Sequence, residues 1–167
     1  MITSSQEYNA LMSAMNSSQE PVFLDWETSP FDDDHRFAWQ LDPIGVGLLQ
    51  GEAKDFVPKS FLNDQFQVML NTHLVVMHNA KFDLTIIETA GFDVSKCKIG
   101  DTLILSWLLD ENRESHGLKQ LAKDLLGLEP EKYTDVVKKR KSSKQVELFS
   151  DPVAEMKKLA DYCENDC

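Results

Sequence analysis

The sequence predicts an α/β layered domain of about five strands flanked by helices. Three observations carry that reading. Short apolar runs, Val22-Phe23-Leu24 and Leu74-Val75-Val76-Met77, have the length and composition of buried strands. Longer stretches repeat apolar residues at helical spacing and have capping residues at their ends. Strands dominate the first part of the chain and helices the later part, with some alternation between them. The 167 residues suffice for one domain with a real core, and no internal repeat divides them.

Ser4 or Ser5 caps a first helix with Tyr8, Leu11, Met12 and Met15 on one side. A strand at 21–27 follows. Residues 28–42 hold Pro30, the acids Asp32-Asp33-Asp34 and the pair Asp42-Pro43, and read as a loop. Ile44, Val46 and Leu48 alternate with smaller residues as a second strand, and Phe56-Val57-Pro58 is a third that proline ends. A helix over roughly 60–71 buries Phe61, Leu62, Phe66, Met69 and Leu70.

The fourth strand, Leu74–Met77, stops at His78-Asn79. Asn79 is placed to cap a helix from about 80 to 90, which Gly91 terminates. Cys97-Lys98-Ile99 forms a short fifth strand. Asp101 caps a helix with Leu103, Ile104, Trp107 and Leu108 on its buried stripe, and a further helix at 117–126 carries Leu118, Leu121 and Leu125. Residues 128–150 are low in pattern and contain the basic run from Lys138 to Lys144. Asp151-Pro152 starts a last helix that runs to the chain end.

Composition narrows the classes. A hydrophobic share of 42% with 27% charged residues is that of an ordinary globular chain, and no apolar run is long enough to cross a bilayer. Residues 1–20 lack the layout of a signal peptide. Three cysteines, Cys97, Cys163 and Cys167, include no C-x-x-C pair, which argues against a disulfide framework or a zinc site. A net charge of −11 excludes a domain that grips nucleic acid by bulk electrostatics, yet suits an enzyme that gathers carboxylates around metal ions.

Asp25 and Glu27 end the first strand two residues apart, so their side chains leave the same face. Two adjacent carboxylates at a buried strand end repel one another, and a divalent cation is the usual remedy; the plain alternative is a solvated strand end. Trp26, between them, points to the opposite face and has packing consequences. Asp83 lies in the first turn of its helix, where an acid also favours the helix dipole. Tyr162 and Asp166 are neighbours at i and i+4, at the edge of a stripe made by Met156, Leu159, Ala160 and Cys163. An acid so near a helix C-terminus opposes the dipole: either the helix continues, or the acid has a task.

Asp25-x-Glu27, Asn79-x-x-x-Asp83 with Phe82 before the acid, and Tyr162-x-x-x-Asp166 resemble the three signatures of DEDDy 3′→5′ exonucleases. Pro21 to Thr28, His78 to Asp83, Asp101-Thr102 opening a helix, and Leu118 with Leu121-Ala122 look like the proofreading domain of family A DNA polymerases. The resemblance implies a ribonuclease H-like (DnaQ-like) mixed sheet, with residues 1–167 one exonuclease domain at the N-terminal part of a longer polymerase chain. It implies that Asp25 bridges two divalent ions, Mg²⁺ or Mn²⁺, that Glu27 and Asp166 complete one site, and that Asp83 serves the other. Tyr162 then orients the attacking water, since an unperturbed phenol with a pKa of about 10 is a poor base at neutral pH.

The implied substrate is a single-stranded DNA 3′ end, shortened by one nucleoside 5′-monophosphate at a time. Phe31 matches an apolar position that packs against the terminal base, Thr28 and Asn79 match positions near the terminal nucleotide, and Lys81 is placed to reach a phosphate. The implied partner is a family A polymerase domain, in cis or as a separate chain, in the cytoplasm of a bacterial or phage-infected cell, with no membrane involved. Two other readings stand beside it: a freestanding RNA-trimming nuclease resembling ribonuclease D, and a non-catalytic nucleic-acid-binding module.

Overall fold

The structure, a computed structural model, describes residues 1–29, 31 and 37–128. Its elements are α1 (Ser5–Ser17), β1 (Val22–Thr28), β2 (Pro43–Gln50), β3 (Ala53–Pro58), α2 (Asp64–Thr72), β4 (Leu74–Met77), α3 (Ala80–Thr89), β5 (Lys98–Asp101), α4 (Thr102–Leu109) and α5 (Leu118–Leu126). Short 3-10 turns lie at Ala38–Gln40 and Lys59–Phe61. The five strands form one mixed sheet in the order β3-β2-β1-β4-β5. β1 pairs antiparallel with β2 and parallel with β4. It is therefore the central strand, with neighbours on both sides, as its apolar run predicts.

Register puts Leu24 opposite Leu48, Trp26 opposite Val46 and Val22 opposite Val75. Those residues share one sheet face, and all are buried. Tyr8, Met12 and Met15 of α1, Phe66, Met69 and Leu70 of α2, and Ile86 and Ile87 of α3 complete the same core. Trp26 meets Phe66 edge-on, with ring centroids 6.2 Å apart, so the tryptophan between the two acids is a core residue as predicted.

Helix ends follow local chemistry. Ser4 and Glu7 form a reciprocal capping box on α1, with the Ser4 hydroxyl accepting the Glu7 N–H at 3.3 Å and Glu7 Oε2 accepting the Ser4 N–H at 3.1 Å. α2 begins later than the apolar pattern suggests: the Asn63 side chain accepts the Gln65 N–H at 2.9 Å and starts the helix there. Phe61 and Leu62 pack on the core from the preceding turn instead. α4 also departs from expectation. Ile104, Trp107 and Leu108 are exposed, and Ser106 is its buried residue. The helix reads Thr-Leu-Ile-Leu-Ser-Trp-Leu-Leu, apolar nearly all round, so periodicity could not choose its inner face.

No helix among the described residues is long and apolar enough to cross a membrane.

Candidate active site

β1 delivers the first two acids. Asp25 and Glu27 are half-buried and occupy the face opposite the core residues Leu24 and Trp26. Across the ladder Asp25 pairs with Gly47 and Glu27 with Gly45, so β2 presents no side chain directly opposite either carboxylate. Gly45 is sterically required: a Cβ there would stand 2.5 Å from Phe56 Cζ and 2.7 Å from the Val57 carbonyl oxygen. That pair of glycines, two apart on a strand, is a signal the sequence offers and that acid spacing alone does not use.

α3 delivers the third acid. Asp83 is only 2% exposed, and its Oδ1 accepts the backbone N–H of Trp26 at 3.1 Å. The helix is thereby tied to the residue between the two β1 acids. Burial pushes the Asp83 pKa up to about 8, the Asp25 carboxylate pushes the same way, and the Trp26 hydrogen bond pulls against them. Asp25 and Asp83 are thus two carboxyl groups held near each other, and burial together with the Asp25 charge keeps a proton on Asp83 at neutral pH. Oxygen donors in that predicament suit a hard divalent cation such as Mg²⁺ or Mn²⁺. Among the described residues, no three His, Cys, Asp or Glu side chains close into a metal-binding group. Tyr162, Asp166 and the basic run from Lys138 to Lys144 lie outside the described residues.

Asp101 organises the approach to Asp83. Its Oδ1 accepts the N–H groups of Leu103 at 2.9 Å, Ile104 at 3.4 Å and Asn79 at 3.1 Å, while Oδ2 accepts that of Ala80 at 2.9 Å. One carboxylate therefore starts α4 and holds the turn into α3. Asn79 sits in the left-handed region, at φ 69° and ψ 53°, and its side chain makes no cap bond to α3. The expected Asn79 side-chain cap is replaced by this left-handed turn pinned from β5. Asparagine tolerates that conformation better than most residues. The role of Asp101 as a helix opener was legible; its grip on residues 79 and 80, twenty-odd positions away, was not.

The predicted substrate residues are spread around this centre. The Thr28 hydroxyl donates to the Ser29 carbonyl at 3.0 Å. Phe31 is 57% exposed, with its ring 6.4 Å from that of Phe82, the residue before Asp83. Asn79 and Lys81 are exposed on the first turn of α3. Lys81 lines a hollow between α3 and α4, not the groove that Asp25 lines. That groove, of about 630 Å³, runs along the acid face of the sheet past Phe23, Val76, Leu105, Leu109 and Leu121. His78 also lines it, with Nδ1 2.9 Å from Thr102 Oγ1, and burial is the main cause of its lowered pKa. His116 is structural: its Nδ1 lies 2.8 Å from Ser106 Oγ, and Trp107 stacks on its ring.

Known proteins share both this sequence and this shape. A 69-residue stretch is 38% identical to DNA polymerase I of Treponema pallidum (strain Nichols), covering 41% of this chain and 7% of that protein. A 111-residue stretch is 28% identical to DNA polymerase I of Rhizobium leguminosarum, covering 64% of this chain and 10% of that protein. The chain thus matches only a small part of the length of these relatives. Escherichia coli RNase D superposes with a TM-score of 0.65 at 16% identity, over 95% of this chain and 39% of that one. Brucella melitensis NrnC with bound Mg²⁺ superposes at 0.60 and 21% identity, over 90% of this chain and 68% of that one. These likenesses establish the ribonuclease H-like fold of the mixed sheet. The 3′-5′ exonuclease family of family A DNA polymerases matches residues 1–167, and the chain belongs to that family.

Proposed function

We propose that this chain is a metal-dependent 3′→5′ exodeoxyribonuclease of the DEDDy type, which removes nucleoside 5′-monophosphates from single-stranded DNA 3′ ends. In this reading it proofreads for a family A polymerase domain, in cis or as a partner, a role consistent with its DNA polymerase I relatives. The observation that carries the proposal is the buried Asp83, bonded to the Trp26 N–H and set against Asp25. Nothing in a storage or scaffolding role requires two carboxylates to be forced together at the end of a central strand. A binding module without chemistry would not need to retain both.

Asp25, Glu27, Asp83 and Asp166 are the residues that would hold two divalent ions, Mg²⁺ or Mn²⁺. When bound, such ions activate water and take up charge at the departing 3′ oxygen. The chain's own contribution is placement. β1 fixes Asp25 and Glu27 on one face, α3 brings Asp83 to them, and the Asp101 clamp fixes where α3 begins. Tyr162 is assigned to hold the attacking water by a hydrogen bond. Thr28, Phe31 and Asn79 are assigned to the terminal nucleotide, and Lys81 to a phosphate.

The test is release of mononucleotides from a labelled single strand with Mg²⁺ or Mn²⁺, with and without EDTA. DNA and RNA oligonucleotides of one sequence run in parallel. Degradation of DNA that stops on chelation is expected. Persistence of cleavage in EDTA would end the metal assignment, and preference for RNA would favour the RNase D-like alternative to which the fold is also suited.

A further inference from the structure

Phe37 and Trp39 stand on the 3-10 turn Ala38–Gln40 with their rings stacked, centroids 4.4 Å apart and planes within 5° of parallel. Both are solvent-facing, at 52% and 61% exposure, and the polypeptide beneath them is firmly held. The Gln40 N–H donates to the Phe37 carbonyl at 2.9 Å and the Phe37 N–H to Gln40 Oε1 at 3.0 Å. Ala38 packs on the core and Leu41 is fully buried. Two large flat side chains, each more than half exposed and stacked together on a fixed turn, offer a binding surface.

Their position says for what. The loop that bears them leaves β1 just beyond Glu27 and returns to β2 at Pro43. Its neck is closed by the Ser29 N–H donating to the Asp42 carbonyl at 2.9 Å and the Asp42 N–H donating to Ser29 Oγ at 2.9 Å. The turn packs beside α3, the helix that carries Asp83. The stacked pair therefore stands on the connection that leaves the Asp25–Glu27 strand, beside the helix that carries Asp83. A chain of net charge −11 has little to offer phosphates, so aromatic stacking is the contact it has available for a strand.

We infer that Phe37 and Trp39 form a stacking platform for a base of the single strand upstream of the terminal dinucleotide. This rests on the exonuclease reading above and adds to it a second point of hold on the substrate. The outer face of the pair continues its own stack with an incoming base and is indifferent to sequence, because every base has a flat face.

The experiment compares mononucleotide release from oligothymidylates of two and of eight nucleotides by wild type, W39A, W39L and W39F. The exposed position lets all four fold, which thermal denaturation checks. Stacking on one base predicts a rise in KM of about 10-fold for W39A on the octamer. KM on the dinucleotide and kcat on both should be unchanged. W39F should restore most of the octamer affinity and W39L should not, since Leu supplies apolar area without a plane. A W39L equal to wild type, or a W39A equal to wild type at both lengths while wild type is active, overturns the platform alone and points to a protein-facing surface. A wild type that releases no nucleotide from either oligomer overturns the exonuclease reading and this one with it.

Discussion

The two faces of β1 are built from alternate residues of one seven-residue strand and obey opposite rules. Val22, Leu24 and Trp26 enter a core in which each is at most 3% exposed and is matched across the ladder by an apolar partner. Phe23 and Asp25 line a groove and Glu27 shares their face, with glycines opposite both acids and a third acid held by α3 against the Trp26 amide. One face is apolar and closely packed, save for the Trp26 indole N–H, buried without a hydrogen-bond partner among the described residues. The other sets Asp25 against a buried Asp83 whose proton affinity burial and that charge both raise. The difference teaches that the strand is a support whose stability comes from one side so that the other side can be held in an unfavourable arrangement.

Substitutions on each face should separate those roles. The largest effect is expected from Asp25→Ala: loss of activity by 10³-fold or more, the scale of removing about 4 kcal/mol of transition-state stabilisation. Its melting temperature is measured beside activity, and a large drop would make Asp25 structural. On the opposite face Leu24→Ala should cost about 2–5 kcal/mol of folding stability. Turnover per folded molecule, measured below the melting transition, should survive.

Asp83→Asn sharpens the comparison, because stability and activity should move in opposite directions. Asp83 keeps its proton in the folded chain up to about pH 8, whereas the unfolded chain releases it near 3.8. Between those values the unfolded state binds fewer protons, so the stability of metal-free protein should fall as pH rises through the window and level off above it. The effect should be on the order of a few kcal/mol. Asparagine still accepts the Trp26 N–H but has no charge, so the variant should lose that pH slope, gain stability near pH 8 in EDTA, and lose activity. Denaturant titrations at several pH values check this, and an unchanged slope would remove the electrostatic argument. The smallest effect is expected from Asp101→Asn. It keeps an acceptor for Leu103 but sets an amide against the Ala80 N–H, costing about 1–2 kcal/mol of stability. A higher Mn²⁺ concentration for half-maximal activity should accompany it, and a loss of stability without that shift would limit Asp101 to a helix cap.

Much of this arrangement was legible in the chain. Apolar runs located β1 and β4, alternation put Asp25 and Glu27 on one face and Trp26 on the other, and Ser4 and Asp101 announced their helices. Local chemistry suffices there because each signal lies within a few residues of its effect. Reading failed where a choice depended on distant neighbours. The uniformly apolar α4 offered no preferred face. Asn79 was read as a side-chain cap, yet its backbone is turned left-handed and its N–H goes to Asp101. Trp39 drew no notice, since only exposure and a parallel ring beside it distinguish it from any other loop aromatic.

The order and spacing of the acids, and hence the class of chemistry, were determined by the sequence alone, because side-chain direction along a strand or helix is a property of the local backbone. The burial of Asp83 against the Trp26 amide, the approach of Asp25 to it, and the clamp from Asp101 were decided only by tertiary structure. Proton affinity and metal-holding power depend on what surrounds a carboxylate in space, and those surroundings come from strands and helices that no spacing rule connects.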